Sequence, residues 1–264
     1  MGANEIVFPS IVTGEEPGNS ENRVKIAHID TGFYAHSPTL PLYIDLEADV
    51  RFKLNGDAAN NAEDSDQPIA IAEQEGHGNA TLSILAGRRL TKQDTGGLYE
   101  GYFGAIPFAR VLPLKISETV AIVSGKKFQR AVEYAIKNKV DVISMSMAGW
   151  PSRAMADAVN KAYEHGIVIV SAASNCFERG IGKLLPSTML YPARFDRTIG
   201  VVGAMVNHKP YLVEFGKRNR AEGGEYMQMC YGPKEAMVTA IAGYSPNISW
   251  FNKNRDTAQE GRFF

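Results

Sequence analysis

From Arg23 onward, short runs rich in Val, Ile and Leu alternate with segments whose apolar residues recur at helical spacing. That alternation is the mark of β-α-β units built around a parallel sheet. The clearest predicted strands are Val24 to Ile29, Arg110 to Ile116, Val140 to Met145, Ile167 to Val170 and Thr198 to Val202. Their nearly continuous branched aliphatic content suits strands covered on both faces. Between them, Phe128, Ala131, Val132, Ala135 and Ile136 define one helix, and Ala154, Met155, Ala158, Val159 and Ala162 a second, with Gly166 at the usual stop position. A third helix is predicted to start near His77 and to run through Leu82, Leu85 and Ala86 to Gly87.

Asn55 to Gln67, Thr91 to Gly101 and Ala221 to Gly224 read as loops by their Asn, Asp and Gly content. None reads as an interdomain linker, and no internal repeat recurs at a fixed period. Residues 1 to 22 are expected to form an arm or the remnant of a pro-segment, and residues 23 to 264 one α/β domain. After Val202 the periodicity weakens, so Asn207 to Phe264 reads as short strands and loops.

Composition narrows the partners. With 28 Lys+Arg against 29 Asp+Glu the formal charge is −1, so no overall basic field draws the chain to nucleic acid or anionic lipid. The sequence holds no apolar stretch long enough to span a bilayer, and its first residues lack the basic and apolar regions of a signal peptide. Its compartment is therefore not predicted. Cys176 and Cys230 are too few for a disulfide-built scaffold, and a single bridge between them is not expected.

Several residues could carry chemistry. Asp30 closes the first strand before Thr31 and Gly32, placing a carboxylate at the carboxyl edge of the sheet, where open α/β sheets put their sites. The plain alternative is a turn-forming Asp before Gly. His77 lies between Gly76 and Gly78 at a helix start, where backbone can approach closely on both sides. His28 reads as a packed sheet-face residue, His165 as a partner of a helix C-terminus, and His36 and His208 as loop residues. Asn175 follows Ala172, Ala173 and Ser174, small residues that let a substrate reach the backbone, and its amide could donate to a developing oxyanion. Ser144, Met145, Ser146, Met147, Ala148 and Gly149 close the preceding strand in a similar way and are expected to offer free backbone donors.

Taken together, these segments resemble the subtilisin-like serine protease family. "VKIAHIDTG" (24 to 32) resembles its aspartate strand, and "GHGNATLSILAG" (76 to 87) its histidine helix. "GAIPFARVLPLKI" (104 to 116), "DVISMSMAG" (141 to 149), "IVIVSAASN" (167 to 175) and "YPARFDRTIGVVGA" (191 to 204) are similar to four later segments in the same order. The resemblance implies a doubly wound, mainly parallel sheet with helices on both faces, and a polypeptide substrate. It implies Asp30 and His77 as triad members, Asn175 as oxyanion donor, and Ser146 to Gly149 with Ala172 to Ser174 as substrate-binding backbone. Met147 and Ala148 would shape the first specificity pocket. No cofactor is implied, although the Asp57, Asp64, Asp66 loop could hold a structural calcium ion.

The chain also departs from the family pattern. Asn79 stands where Thr is usual, and Ala148 and Ser174 stand where Gly is common. The family's nucleophile follows a Gly-Thr pair, and this chain has none; Ser187, Ser245 and Ser249 lack the right neighbours. The expectation is an N-terminal fragment that stops just before the nucleophile motif, either cut short or one piece of a protein whose remainder is a separate C-terminal segment supplying the serine. Alone it is expected to be inactive and to expose apolar surface. The rival expectation is a non-catalytic, protease-like peptide-binding protein. An aspartic protease built on Asp30-Thr31-Gly32 and Asp94-Thr95-Gly96, and a metal hydrolase using His28, Asp30 and His77, are weaker alternatives.

Overall fold

The structure, a computed structural model, describes residues 23–45, 50–52, 58–60, 76–97, 99–122, 124–177, 188–205, 208, 227–230, 232–244, 251–252 and 262–263. Its main sheet has nine strands: β1 (Lys25–Asp30), β2 (Tyr43–Ile44), β3 (Val50–Phe52), β4 (Ala58–Asn60), β5 (Arg110–Lys115), β6 (Val142–Met145), β7 (Val168–Ala172), β8 (Ile199–Ala204) and β9 (Ala240–Tyr244). The order across the sheet is β9-β8-β7-β6-β1-β5-β3-β4, with β2 also on β5. Every pairing is parallel except β3 with β4. The fold is thus the expected α/β architecture.

β1 is central because its side chains can be buried on both faces. Ile26 to Asp30 are all buried, and the strand pairs with β5 on one side and β6 on the other. Alternation then sends Ala27 and Ile29 into the larger core, while His28 and Asp30 face the opposite side, toward the helix α1 (His77–Ala86). The larger core is closed by α2 (Gly125–Lys137) through Phe128, Ala131, Val132 and Ala135, and by α3 (Arg153–Glu164) through Met155, Ala158, Val159 and Ala162. Both helices start on a serine whose side chain accepts a backbone N–H: Ser124 from Lys127, and Ser152 from Met155. Gly166, at φ 73°, follows α3 in the left-handed conformation expected of a helix stop.

Some predicted strands begin too early. Val140 and Ile167 are buried, but their N–H groups bond Ala135 and Ala162, so they close α2 and α3 rather than open β6 and β7. Thr198 N–H likewise bonds Phe195 O, so β8 starts at Ile199. Within the predicted Asn55 to Gln67 loop, β4 forms by pairing with β3. Asp57, Asp64 and Asp66, the calcium candidates, lie outside the described residues. β9 is one of the short strands expected after Asn207; it extends the sheet beyond β8 and leaves Ile241 and Tyr244 exposed at the sheet's edge.

Close backbone approach fixes α1 against the turn after β1. A Cβ on Gly78 would lie 2.1 Å from Gly32 O and 2.8 Å from Gly32 N, while Gly78 N–H donates to Thr31 Oγ1 at 3.0 Å. Gly78→Ala is therefore expected to push helix and turn apart, costing about 1–3 kcal/mol. In a chain of this size that lowers the thermal midpoint by roughly 2–10 °C; an unchanged midpoint in differential scanning calorimetry would contradict the packing.

Candidate active site

The carboxyl ends of β1, β5, β6 and β7 fall along one edge of the sheet, and β1 lies where the chain order reverses, between β5 and β6. Such a switch point leaves a crevice beyond the strand ends. Asp30 is the last residue of β1, and His77 is the first of α1, behind Gly76 in the left-handed conformation at φ 73°. The two side chains meet there. His77 Nδ1–H donates to Asp30 Oδ1 at 2.8 Å, since an ionised carboxylate can only accept. The same oxygen accepts the Thr31 backbone N–H at 2.7 Å, and Oδ2 accepts the Thr81 hydroxyl at 3.0 Å.

Burial divides the roles. Asp30 has no exposed side-chain surface, whereas His77 is 18% exposed, so the imidazole is the member that solvent or a ligand can reach. With Nδ1 committed to Asp30, the lone pair of the neutral ring sits on Nε2. Lys115, the register partner of Asp30 on β5, is also buried, with its ammonium 2.8 Å from Glu118.

Burial pushes the Asp30 pKa upward, but the neighbouring charge and hydrogen bond of His77 outweigh it, helped by His28 and the Thr31 N–H, and hold the carboxyl below its ordinary range. His28 behaves differently. Burial dominates and lowers its pKa against the pull of Asp30, with His77 adding to the lowering, so its ring is neutral at pH 7. Its 3.9 Å approach to Asp30 Oδ2 is then a polar contact rather than an ion pair.

Both shifts weaken the fold in acid. As pH falls below 6.5, the ordinary histidine value, the unfolded chain takes up a proton at His28 that the native state resists. Below 3.8 the unfolded chain likewise protonates Asp30 before the native state does, and that stabilisation is lost as pH drops through the native value. The urea midpoint is expected to fall between pH 7.5 and pH 5, and the fall to become shallower in His28→Val. Equal slopes in both proteins would contradict a neutral, buried His28.

The other predicted residues occupy several settings. Ala172 ends β7, Ala173 is fully buried, and Ser174 adopts φ 91° and accepts the Cys230 N–H at 3.0 Å. Asn175 then opens a two-stranded antiparallel ribbon, Asn175–Phe177 with Met227–Met229, directly past the carboxyl end of β7. The free donors expected at the next strand end are only partly there. Ala148 N–H bonds Val120 O at 3.1 Å, and Gly149 N–H bonds Tyr191 O at 2.8 Å, because Ala148–Gly149 pairs with Ala121–Ile122 and bridges Tyr191. Ser146 is half-buried, while Met147 is buried in the larger core rather than presented to a pocket at the strand end.

Asp94 is an exposed turn residue whose carboxylate accepts from the Thr91 N–H and hydroxyl, bonds that lower its pKa. It has no place at the sheet edge. His36 and His208 are exposed, and His165 Nδ1 lies 2.8 Å from Lys161 O at the end of α3. Among the described residues, no group of three His, Cys, Asp or Glu side chains is arranged to hold a metal ion. Cys230 is buried and disulfide-bonded, against expectation; Cys176 is the chain's one other cysteine.

Sequence reasoning missed Thr81; His28 is the packed sheet-face residue expected, and only its contact with Thr81 was not anticipated. The available signals were helical spacing, which puts Thr81 one turn beyond His77, and strand alternation, which puts His28 on the face of Asp30.

Comparison with known proteins agrees with this architecture. The model of the subtilase family matches residues 21–259. The chain is 26% identical over 246 residues to the major intracellular serine protease of Bacillus subtilis (strain 168), covering 88% of this chain and 68% of that protein. It is 26% identical over 233 residues to the intracellular serine protease of Paenibacillus polymyxa, covering 86% and 64%. It thus spans about two thirds of the length of these relatives. Among solved structures, a mutant of the protease domain of PatA superposes with a TM-score of 0.57 at 15% identity, over 90% of this chain and 72% of that one. The prenylagaramide maturation protease PagA superposes at 0.53 and 14% identity, over 86% and 65%. At those identities the superpositions speak for the fold alone. With the family model spanning the domain from before β1 to beyond β9, the chain belongs to the subtilase family of subtilisin-like serine proteases.

Proposed function

We propose that this chain carries the acid, the base and the oxyanion donor of a serine endopeptidase acting on polypeptide substrates. The observation that carries the reading is the 2.8 Å bond between His77 Nδ1 and a fully buried Asp30 at the carboxyl edge of the sheet. In the proposed reaction His77 Nε2 takes the proton of a serine hydroxyl as that oxygen attacks the peptide carbonyl. It then returns the proton to the leaving amine, and water repeats the cycle on the acyl-enzyme. Asp30 keeps the imidazole in the required tautomer and stabilises its charged form. Asn175 donates to the tetrahedral oxyanion. Backbone at Ser146 and at Ala172 flanks an extended peptide, adding it as a strand; both backbone groups of Ala173 and the carbonyl of Ser174 are already bonded to Val201, Leu190 and Cys230.

The serine is proposed to lie outside these 264 residues, because no Gly-Thr pair precedes any serine of the chain. The chain by itself is then inactive, and the chemistry requires no cofactor. A fluorophosphonate probe applied to the protein as its gene encodes it tests the whole reading. The expected result is one labelled serine, mapped by peptide mass spectrometry beyond this chain, with labelling lost in His77→Ala. A folded protein that binds peptides without labelling would replace the enzyme with a peptide-binding relative; labelling at Ser187, Ser245 or Ser249 would refute the proposed position of the nucleophile.

A further inference from the structure

Asp30 is held from two sides, and the proposed reaction uses only one of them. On the far side, β1 places His28 two residues before Asp30 on the same face, and α1 places Thr81 one turn after His77. Thr81 Oγ1 lies 3.0 Å from Asp30 Oδ2 and 3.0 Å from His28 Nε2. His28 and Asp30 are both buried and Thr81 is half-buried, so the contact is largely shielded from bulk water.

The hydroxyl has one proton and several acceptors within reach, including His77 O at 3.1 Å and Gly78 O at 3.2 Å. A Thr in a helix ordinarily bonds back to such carbonyls. Here a carboxylate competes, and an ionised acceptor wins over a neutral one. The imidazole completes the assignment. Were His28 Nε2 an acceptor, it would draw the hydroxyl proton away and leave the lone pairs of Thr81 and Asp30 Oδ2 facing each other. With the proton on Nε2, His28 donates to Thr81, Thr81 donates to Asp30, and every group in the chain is satisfied.

We propose that His28 and Thr81 form a positioning arm that fixes the rotation of the Asp30 carboxylate, keeping Oδ1 aimed at His77 Nδ1. Neither residue touches substrate; both act through Asp30. The role in turnover rests on the reading of Asp30 and His77 as the acid and base of a peptidase. Substituting the residues that orient a metal-bound histidine typically costs about 10- to 100-fold, and a loss on that scale is expected here by analogy.

The experiment uses the protein as its gene encodes it. Thr81→Val, which keeps the shape and removes the hydroxyl, is expected to lower kcat by about tenfold or more with KM within about twofold. Thr81→Ser is expected to restore kcat to within about twofold of the parent, because the hydroxyl alone matters. His28→Val should resemble Thr81→Val, and the double variant should be no worse than the poorer single one, since the two groups act in series. A Thr81→Ser as impaired as Thr81→Val, or losses that multiply, would overturn the proposal.

A second measurement needs no turnover. In ¹⁵N-histidine NMR spectra of the unsubstituted protein, His28 is expected as the neutral Nε2–H tautomer, and His77 with a hydrogen-bonded Nδ1–H. The latter resonance should broaden through exchange in Thr81→Val and stay sharp in Thr81→Ser. An Nδ1–H tautomer at His28, or a His77 signal indifferent to Thr81, would overturn the arm even in a protein that hydrolyses nothing. Absence of fluorophosphonate labelling with the expected spectra would instead remove the peptidase reading and leave the arm standing.

Discussion

His77→Ala in the complete protein is expected to reduce kcat for peptide hydrolysis by about 10⁶ while leaving KM little changed. The scale comes from subtilisin, a reference enzyme of the same family, in which loss of the corresponding base costs about as much as loss of the whole triad. The physical reason lies in timing. In the proposed reaction the imidazole takes up the serine proton as the bond to the carbonyl forms, so its removal raises the transition state with little effect on substrate affinity. Steady-state assays on a chromogenic peptide read both constants. A variant retaining a tenth of the parental kcat would remove His77 from the reaction, whatever its distance from Asp30.

Asp30→Ala is expected to cost less, about 3 × 10⁴ in kcat, again on the scale known for subtilisin. The alanine leaves the imidazole in place but frees Nδ1, so the ring can rotate and change tautomer, and its charged form loses the adjacent carboxylate. Because the two residues act as one unit, adding Asp30→Ala to His77→Ala should lower kcat no further. A double variant whose loss equals the product of the two would show that they work independently. Asp30→Ala should also flatten the decline in stability at the acid end of the pH range, since the group whose carboxyl is held below its ordinary value is gone.

Much of the core could be read from the chain because its causes are local. Phe128, Ala131, Val132 and Ala135 repeat at the period of a helix whatever they pack against, and all four are buried. Strand limits were less legible. The early starts given to β6 and β7 arise because Val140 and Ile167, apolar like their successors, bond back to Ala135 and Ala162 at the ends of the preceding helices. β9 carries the mild pattern "AIAGY", and its strand character comes from pairing with β8, some forty residues earlier in the chain. The backbone donors of Ala148 and Gly149 were expected to be open for a similar reason: their acceptors, Val120 and Tyr191, are distant in sequence.

The site divides along the same line. Asp30 before Thr31 and Gly32, and His77 between two glycines, announce themselves through neighbours that shape the local backbone, and the order of six segments names the family. Which oxygen of Asp30 meets which donor is another matter. The pairing of His77 with Oδ1, and of Thr81 and His28 with the Oδ2 side, exists only because α1 lies across β1 at a distance set by Gly78 against Gly32. Residue types and their periodicity come from covalent neighbours and can be read along the chain, whereas hydrogen bonds between elements depend on a docking geometry that no single segment contains. For this protein the sequence therefore determined the elements, the family and the two principal groups, and the tertiary structure alone decided how those groups are held.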